Sequence, residues 1–370
     1  METCGLCDHP LLQKVYAPMG SSSQTVTLCP HCGCCQSLPR RRPTGPKTPS
    51  ISGDADWGNL RIGKELRLPA HLPHLRDSLS GSQTTLDLGA NRGAFARWWA
   101  SQPHAGALHG IEPDLRLHEG LNGLYDRLWL QPVEEVDLPP QAYHFIYCVH
   151  TLEHLAEPRA CLAQLHRSAA PDCHLFLEVP DLAFIGRPDV LEEFFLDKHL
   201  FHFSREHLGC LLAAAGWHPD RWIPDPLGEN LTLIARPSFS RTDIPPQKEA
   251  NSWRMTLHHY AQTLARNRAG LAQRIAALPA CRNLVCFGGG RLFDLAFSLG
   301  GLRPQAVVDS HLHRHLKERH GVPFFPPDHL KELQPDLIVI ASRGFQAEIR
   351  EQIQQILPQA PPIFALFQTA

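Results

Sequence analysis

Short apolar runs alternate with amphipathic, helix-period stretches through the middle of the chain. TTLDLG (84–89), ALHGIE (107–112), YHFIYCV (143–149), HLFLEV (174–179) and NLTLIA (230–235) are β-rich and bounded by turn residues. Their alternation with helical patterns predicts a mostly parallel sheet with helices on its faces. Farther on, residues 251–278 read as one long helix, and the alternation restarts with NLVCFGGG (283–290), QAVVDS (305–310) and DLIVIAS (336–342). The pattern predicts an α/β chain with two Rossmann-like units, the second smaller.

Composition divides the chain further. Its 370 residues exceed one ordinary core. Half of its 12 cysteines fall between residues 4 and 35. Two stretches rich in Pro, Gly, Ser or charge look like exposed linkers. The expected organisation is a Cys-rich domain at 1–38, a linker at 39–59, a first α/β domain at 60–238, a linker at 239–250, and a helix plus smaller α/β domain at 251–370. With 35 basic against 37 acidic side chains and a formal charge of −2, no overall basic field exists to hold nucleic acid. Arg40, Arg41 and Arg42 read as part of a solvated linker. No apolar run reaches 18 residues and no signal-peptide pattern is present, so a soluble, cytoplasmic protein without membrane contact is expected.

CGLC (4–7) and CPHC (29–32) form a pair of Cys-x-x-Cys turns. Each turn offers two thiolates to two corners of a tetrahedron, so Cys4, Cys7, Cys29 and Cys32 read as a closed, structural zinc site. Cys34 or Cys35 in place of Cys29, and His9 and His31, are further candidate ligands.

The run TTLDLG continues into ANRG, which puts Asp87 at a strand end and Gly89, Ala90, Asn91 and Gly93 in the following turn. The Asp-x-Gly-x-x-x-Gly spacing differs from the Gly-x-Gly-x-x-Gly that admits a pyrophosphate. An acid aimed at the turn repels a diphosphate and suits a cationic ligand. Nineteen positions past Gly93, Glu112 and Pro113 end the next apolar run, where a carboxylate grips a ribose diol. A ribose joined to a cationic amino acid describes S-adenosylmethionine. Within LQPVEEVDLP (130–139), Val133 and Glu134 stand where an adenine wall is expected, and His150 completes the candidate cofactor set.

CVHTLEHLAEP (148–158) places His150, Glu153 and His154 at the ligand face of the sheet. His154 is suited to contact a substrate or relay a proton, whereas Glu153 is explained as easily by a helix macrodipole as by a site role. The stretch 178–204, containing His199 and His202, is too long for a plain connection and reads as a lid or substrate wall.

CGLC with CPHC, LDLGANRG, HTLEHL, DKHLFHFS and the tail segments VCFGGGR, VVDS, GVPFFPP and PDLIVIAS together resemble the three-part S-adenosylmethionine-dependent C-methyltransferases of nucleotide-linked deoxysugars, over nearly the whole chain. The resemblance implies a zinc head, a class I methyltransferase core, a Rossmann-like tail and a nucleotide-sugar substrate. It implies further that His199 removes a proton beside a 4-keto group and that the enolate attacks the sulfonium methyl in line. Lys198 would stabilise the enolate oxygen and His154 would contact the sugar. The family's Tyr-Asp-Glu-His lid motif keeps Asp197 and His199 here but has Leu196 and Lys198 for its Tyr and Glu. O- or N-methylation of another small or carrier-bound acceptor, and a non-catalytic zinc- and cofactor-binding adaptor, are the alternatives. In the tail, Gly288, Gly289 and Gly290 with Asp309 look like a dinucleotide turn without the full spacing; a scaffold, or a nucleotide contact through Arg291, is the expectation.

Overall fold

The structure is a computed structural model that describes residues 3–10, 12–18, 24–40, 62–79, 84–102, 106–195, 199–238, 240, 242–244 and 250–367. It comprises two compact units: Met1–Gly186 with Phe194–His258, and Arg187–Glu193 with His259–Ala370. No described helix is long and apolar enough to cross a membrane.

The first unit opens with three antiparallel strands, β1 (Gln13–Tyr16), β2 (Thr25–Leu28) and β3 (Cys35–Leu38). There follow α1 (Ile62–Leu79), β4 (Thr84–Leu88), α2 (Ala94–Ala100), β5 (Ala107–Ile111), α3 (His118–Leu121), β6 (Arg127–Trp129), β7 (Tyr143–Val149), α4 (Pro158–Ser168) and β8 (Ala169–Pro180). The unit continues with β9 (Phe201–His202), α5 (Arg205–Ala214), β10 (Trp217–Ile223) and β11 (Asn230–Pro237). Its main sheet has the order β10-β11-β8-β7-β4-β5-β6. Strands β4 to β8 run parallel, and β11 runs antiparallel to both β8 and β10. Strand order reverses between β4 and β7, which opens a crevice beyond their carboxyl ends, the ligand position of a doubly wound sheet.

Burial follows from that layering. Central strands covered on both faces need continuous apolar runs, and every residue of β7 except His144 is buried. In α1, Leu68, His71 and Leu75 are buried while Pro69 and Pro73 stay exposed. The spacing of the buried three gives one stripe, and its leucines join Phe145, Tyr147 and Phe176 of the sheet in one core.

The long connection after β8 contributes β9, which pairs antiparallel with β3 and makes the head sheet four-stranded. Cys35 faces His202 and Gln36 faces Phe201. Phe201 and Phe203 pack in one core with Cys4, Cys29 and Cys32. This end of the expected lid is therefore a strand of the Cys-rich head.

The helix α6 (Ala250–Ala276) leads to β12 (Leu284–Phe287), α7 (Arg291–Ser298), β13 (Ala306–Val308), β14 (Glu318–Arg319), β15 (Val322–Phe325), α8 (Leu330–Leu333), β16 (Leu337–Ile340), α9 (Gln346–Ile356) and β17 (Ile363–Ala365). The second unit's sheet runs β14-β15-β13-β12-β16-β17. The strap 187–193 belongs to this unit. Asn267 donates to the Pro188 and Val190 carbonyls at 2.8 Å, Arg268 donates to the Leu191 carbonyl at 2.9 Å, and Arg343 pairs with Glu192 at 2.9 Å.

Candidate active site

The turn after β4 is held by its neighbours on β5. Gly89 and Ala90 donate their N–H groups to the Ile111 carbonyl at 2.9 and 3.0 Å. Gly89 (φ 75°), Asn91 (φ 55°) and Gly93 (φ 75°) all lie in the left-handed region that such a reversal demands. Glu112 is 2% exposed and accepts from Asn91 N–H at 2.8 Å with one oxygen and from Asp114 N–H at 3.0 Å with the other. Asp87, also 2% exposed, accepts from the Tyr125 hydroxyl at 2.7 Å. Burial, then the Asp87 charge, pushes the Tyr125 phenol far above its ordinary range, so it remains a donor. The buried Asn91 Oδ1 has no partner among the described residues. An orphaned acceptor at this turn fits a ligand that brings a donor such as an ammonium. Pro113 is exposed, Val133 is buried and Glu134 half-buried on the 3-10 turn Val133–Glu135.

Beyond β7 a second group assembles. His150 adopts φ 46°, with its two ring nitrogens each 3.3 Å from a buried carboxylate, Nδ1 from Glu153 and Nε2 from Glu178. Burial alone would lower its pKa, but the hydrogen bonds to Glu153 and Glu178 outweigh burial and raise it to about 9. Glu178, at the end of β8, also receives Arg67 through two bonds of 2.5 and 2.6 Å, His71 at 2.9 Å and the Thr232 hydroxyl at 2.8 Å. Burial would raise its carboxyl; His150, His71 and Arg67 reverse that and hold it far below the usual range. Glu153 lies 3.7 Å from His154 Nε2. The His154 and His199 rings meet with centroids 4.8 Å apart and a tilt of 59°.

The structure thus gathers Asp87, Gly89, Ala90, Asn91, Gly93 and Glu112 at one turn, and His150, His154 and His199 around Glu153. Among the described residues no hydrogen bond or ion pair joins Val133 or Glu134 to either group, and Lys198 lies outside the described residues together with Leu196 and Asp197. Sequence reasoning passed over Arg67, His71, Tyr125 and Glu178 as site residues. Glu178, a charge inside the apolar run HLFLEV, was the available signal. His202, expected beside His199 in the lid, is 2% exposed and bonds the Ser37 hydroxyl at 2.8 Å. Burial drives its pKa down to about 3, so it stays a neutral structural ring.

In the head, the thiols of Cys4, Cys7, Cys29 and Cys32 lie within 4.8 Å of one another and could hold a metal ion. The Cys4–Cys32 and Cys7–Cys29 sulfur separations are both 3.6 Å. About 3.8 Å is the edge of a tetrahedron with metal–sulfur bonds of about 2.3 Å. Hydrogen bonds from Cys29 and Cys32 drive the Cys4 thiol far below its ordinary range, while bonds to Cys29 and Cys4 drive Cys32 far above. The set by itself sustains little negative charge, and a cation lifts that restriction. Cys34 directs its thiol to the Cys35 carbonyl at 3.7 Å.

In the second unit, Asp309 is occupied by its own chain: it accepts from Gly289 N–H at 2.9 Å and from His311 and Leu312 N–H at 2.9 and 2.8 Å. A Cβ on Gly289 would meet the Phe324 ring at 2.2 Å. Close packing explains that glycine without a ligand.

A family model described as a methyltransferase domain matches residues 61–220. No curated protein matches the chain. Among solved structures, an S-adenosylmethionine-dependent methyltransferase from Aquifex aeolicus is 20% identical, with 48% of this chain and 97% of that chain covered at a TM-score of 0.38. A second, from Mesorhizobium loti, is 15% identical, with 45% and 97% covered at 0.37. The 1,6-didemethyltoxoflavin-N1-methyltransferase of Burkholderia thailandensis is 16% identical, with 61% and 99% covered at 0.35. At these scores the likenesses add nothing to the domain match.

Proposed function

We propose that this S-adenosylmethionine-dependent methyltransferase methylates a carbon beside the keto group of a nucleotide-linked deoxysugar. The observation that carries the reading is the His154–His199 pair, 4.8 Å apart against a buried carboxylate. S-adenosylmethionine, when bound, supplies an electrophilic sulfonium methyl. Asp87 and Glu112 would orient its amino acid and ribose, with Asn91 Oδ1 as a further acceptor. Val133 and Glu134 would flank the adenine. His199 would take the acidified proton, and His154 would share it or touch the sugar. Lys198 would face the developing oxygen charge. Four thiolates suit zinc in a closed, structural role in the head.

The test is mass spectrometry of products after incubation with S-adenosylmethionine and a nucleoside-diphosphate-linked 4-keto-deoxysugar. A mass gain of one CH2, a methyl in place of a hydrogen, is expected, with no gain for His199→Ala although calorimetry still records cofactor uptake. Loss of both together would mean that His199 only packs. Lys198, a cation where the resembling family has Glu, favours a second reading in which an oxygen or nitrogen of another small acceptor is methylated.

A further inference from the structure

A helix macrodipole does not explain Glu153. It sits on the 3-10 turn Leu152–His154, three residues long, and is 1% exposed. So short a turn carries little dipole, and burying a carboxylate is unfavourable unless charged partners offset it. Two imidazoles face one of its oxygens: Oε1 lies 3.3 Å from His150 Nδ1 and 3.7 Å from His154 Nε2, while Oε2 is buried without a hydrogen-bond partner among the described residues. Its main-chain carbonyl accepts from Leu200 N–H at 2.8 Å, one residue past His199.

We propose that Glu153 is a positioning residue for methyl transfer: it fixes which nitrogen of His154 carries the proton, so that the His154–His199 pair presents a lone pair to the acceptor. The proposal rests on the reading of that pair as the base. At 3.7 Å the carboxylate lies beyond hydrogen-bond reach of Nε2, but its charge favours a proton over a lone pair on that nearer ring nitrogen. It also stabilises the imidazolium that forms when the pair takes a proton. In that step the acceptor C–H proton passes to the pair and its electron pair bonds the methyl carbon. The sulfur–carbon pair returns to sulfur, which leaves as a neutral thioether.

The groups around Glu153 act in the same direction. His150 and His154 face it from its own segment, and His202 feels its charge from β9. Glu178 stands behind His150 on β8, neutralised by Arg67 and approached by His71 from α1. Burial would raise the Glu153 carboxyl, and His154 with His150 more than reverses this, so it stays ionised. A bound ion is the competing use of the cluster. The donor atoms of Glu153, His154 and His199 lie within 4.8 Å of one another, so an ion would draw on the same three side chains, and metal content separates the two uses.

The experiment uses the full chain labelled with 15N-histidine, as wild type, Glu153→Gln and Glu153→Asp. Long-range proton–nitrogen correlations are recorded from pH 5 to 9, with His154→Gln and His199→Gln for assignment. Glu153→Gln keeps the main-chain bond to Leu200 and the side-chain shape, so a purely structural role would leave the histidine signals alone. The expected result is an Nε2–H tautomer for His154 in wild type. In Glu153→Gln that tautomer should become mixed and the His154 titration midpoint should fall by about one pH unit, a tenfold change. Glu153→Asp should restore part of the shift, with S-adenosylmethionine affinity unchanged by calorimetry. An unmoved tautomer and midpoint in Glu153→Gln overturns the proposal. So does a retained transition metal, beyond the content of the Cys cluster, that disappears in the same variant. If the His154 signals respond as expected while His199→Ala still methylates the keto sugar, the positioning role stands and the base assignment to His199 falls.

Discussion

Glu112 spends both carboxylate oxygens on main-chain N–H groups, those of Asn91 and Asp114. Replacing it with Gln turns one acceptor into a donor that faces an N–H, a mismatch worth about 1–3 kcal/mol. Glu112→Gln should therefore bind S-adenosylmethionine about 10- to 100-fold more weakly, measured by calorimetry. His150 gives a pH dependence at the same scale. Its pKa rises from the free value of 6.5 to about 9, so its contribution is complete below pH 6.5 and is lost as pH rises through 9. Thermal denaturation followed from pH 7 to 10 should show that decline, and His150→Gln should flatten it. The strand-end acids Asp87 and Glu112 were legible in the sequence because strand periodicity and turn glycines locate the tip of each strand. Their partners were not: Tyr125 reaches Asp87 from a loop 38 residues on, and no local pattern records such a bond.

Elements read well where burial on two faces forces apolar runs, as in β7 and β8, and poorly where pairing alone makes the strand. β9 is two residues long and gains its partner from β3, 165 residues earlier in the Ser37–His202 bond. This junction carries an acid sensitivity. His202 is lowered from 6.5 to about 3, so the neutral ring stabilises fully above pH 6.5, and the stability drains away as pH falls through that window. The loss at the acid limit is on the order of 5 kcal/mol, from about 1.4 kcal/mol per unit. Ser37→Ala leaves His202 Nε2 buried and unsatisfied, at a cost of about 1–3 kcal/mol. Its melting temperature should fall, with the cofactor affinity kept; an unchanged melt would mean that the bond contributes nothing.

For the whole chain, composition and pattern read two α/β units and a Cys-rich head, whereas the path of residues 187–193 was invisible before folding. Val190 and Leu191 of that strap are 0% and 4% exposed, held by Asn267 and Arg268 on α6. A chain ended at His258 should show faster hydrogen exchange at 187–193 than the full chain. The head has a comparable long-range tie: Leu200 gives its carbonyl to Ser37 N–H at 2.9 Å and its own N–H to the Glu153 carbonyl at 2.8 Å. Whatever keeps the Cys turns folded therefore also keeps His199 in register with His154. If the four thiols hold a metal, a chelator that removes it is expected to leave nucleoside docking intact while exchange quickens across 199–204. Such a molecule would still load its methyl donor yet lack the footing to use it, so metal supply would act as a gate on chemistry rather than on binding.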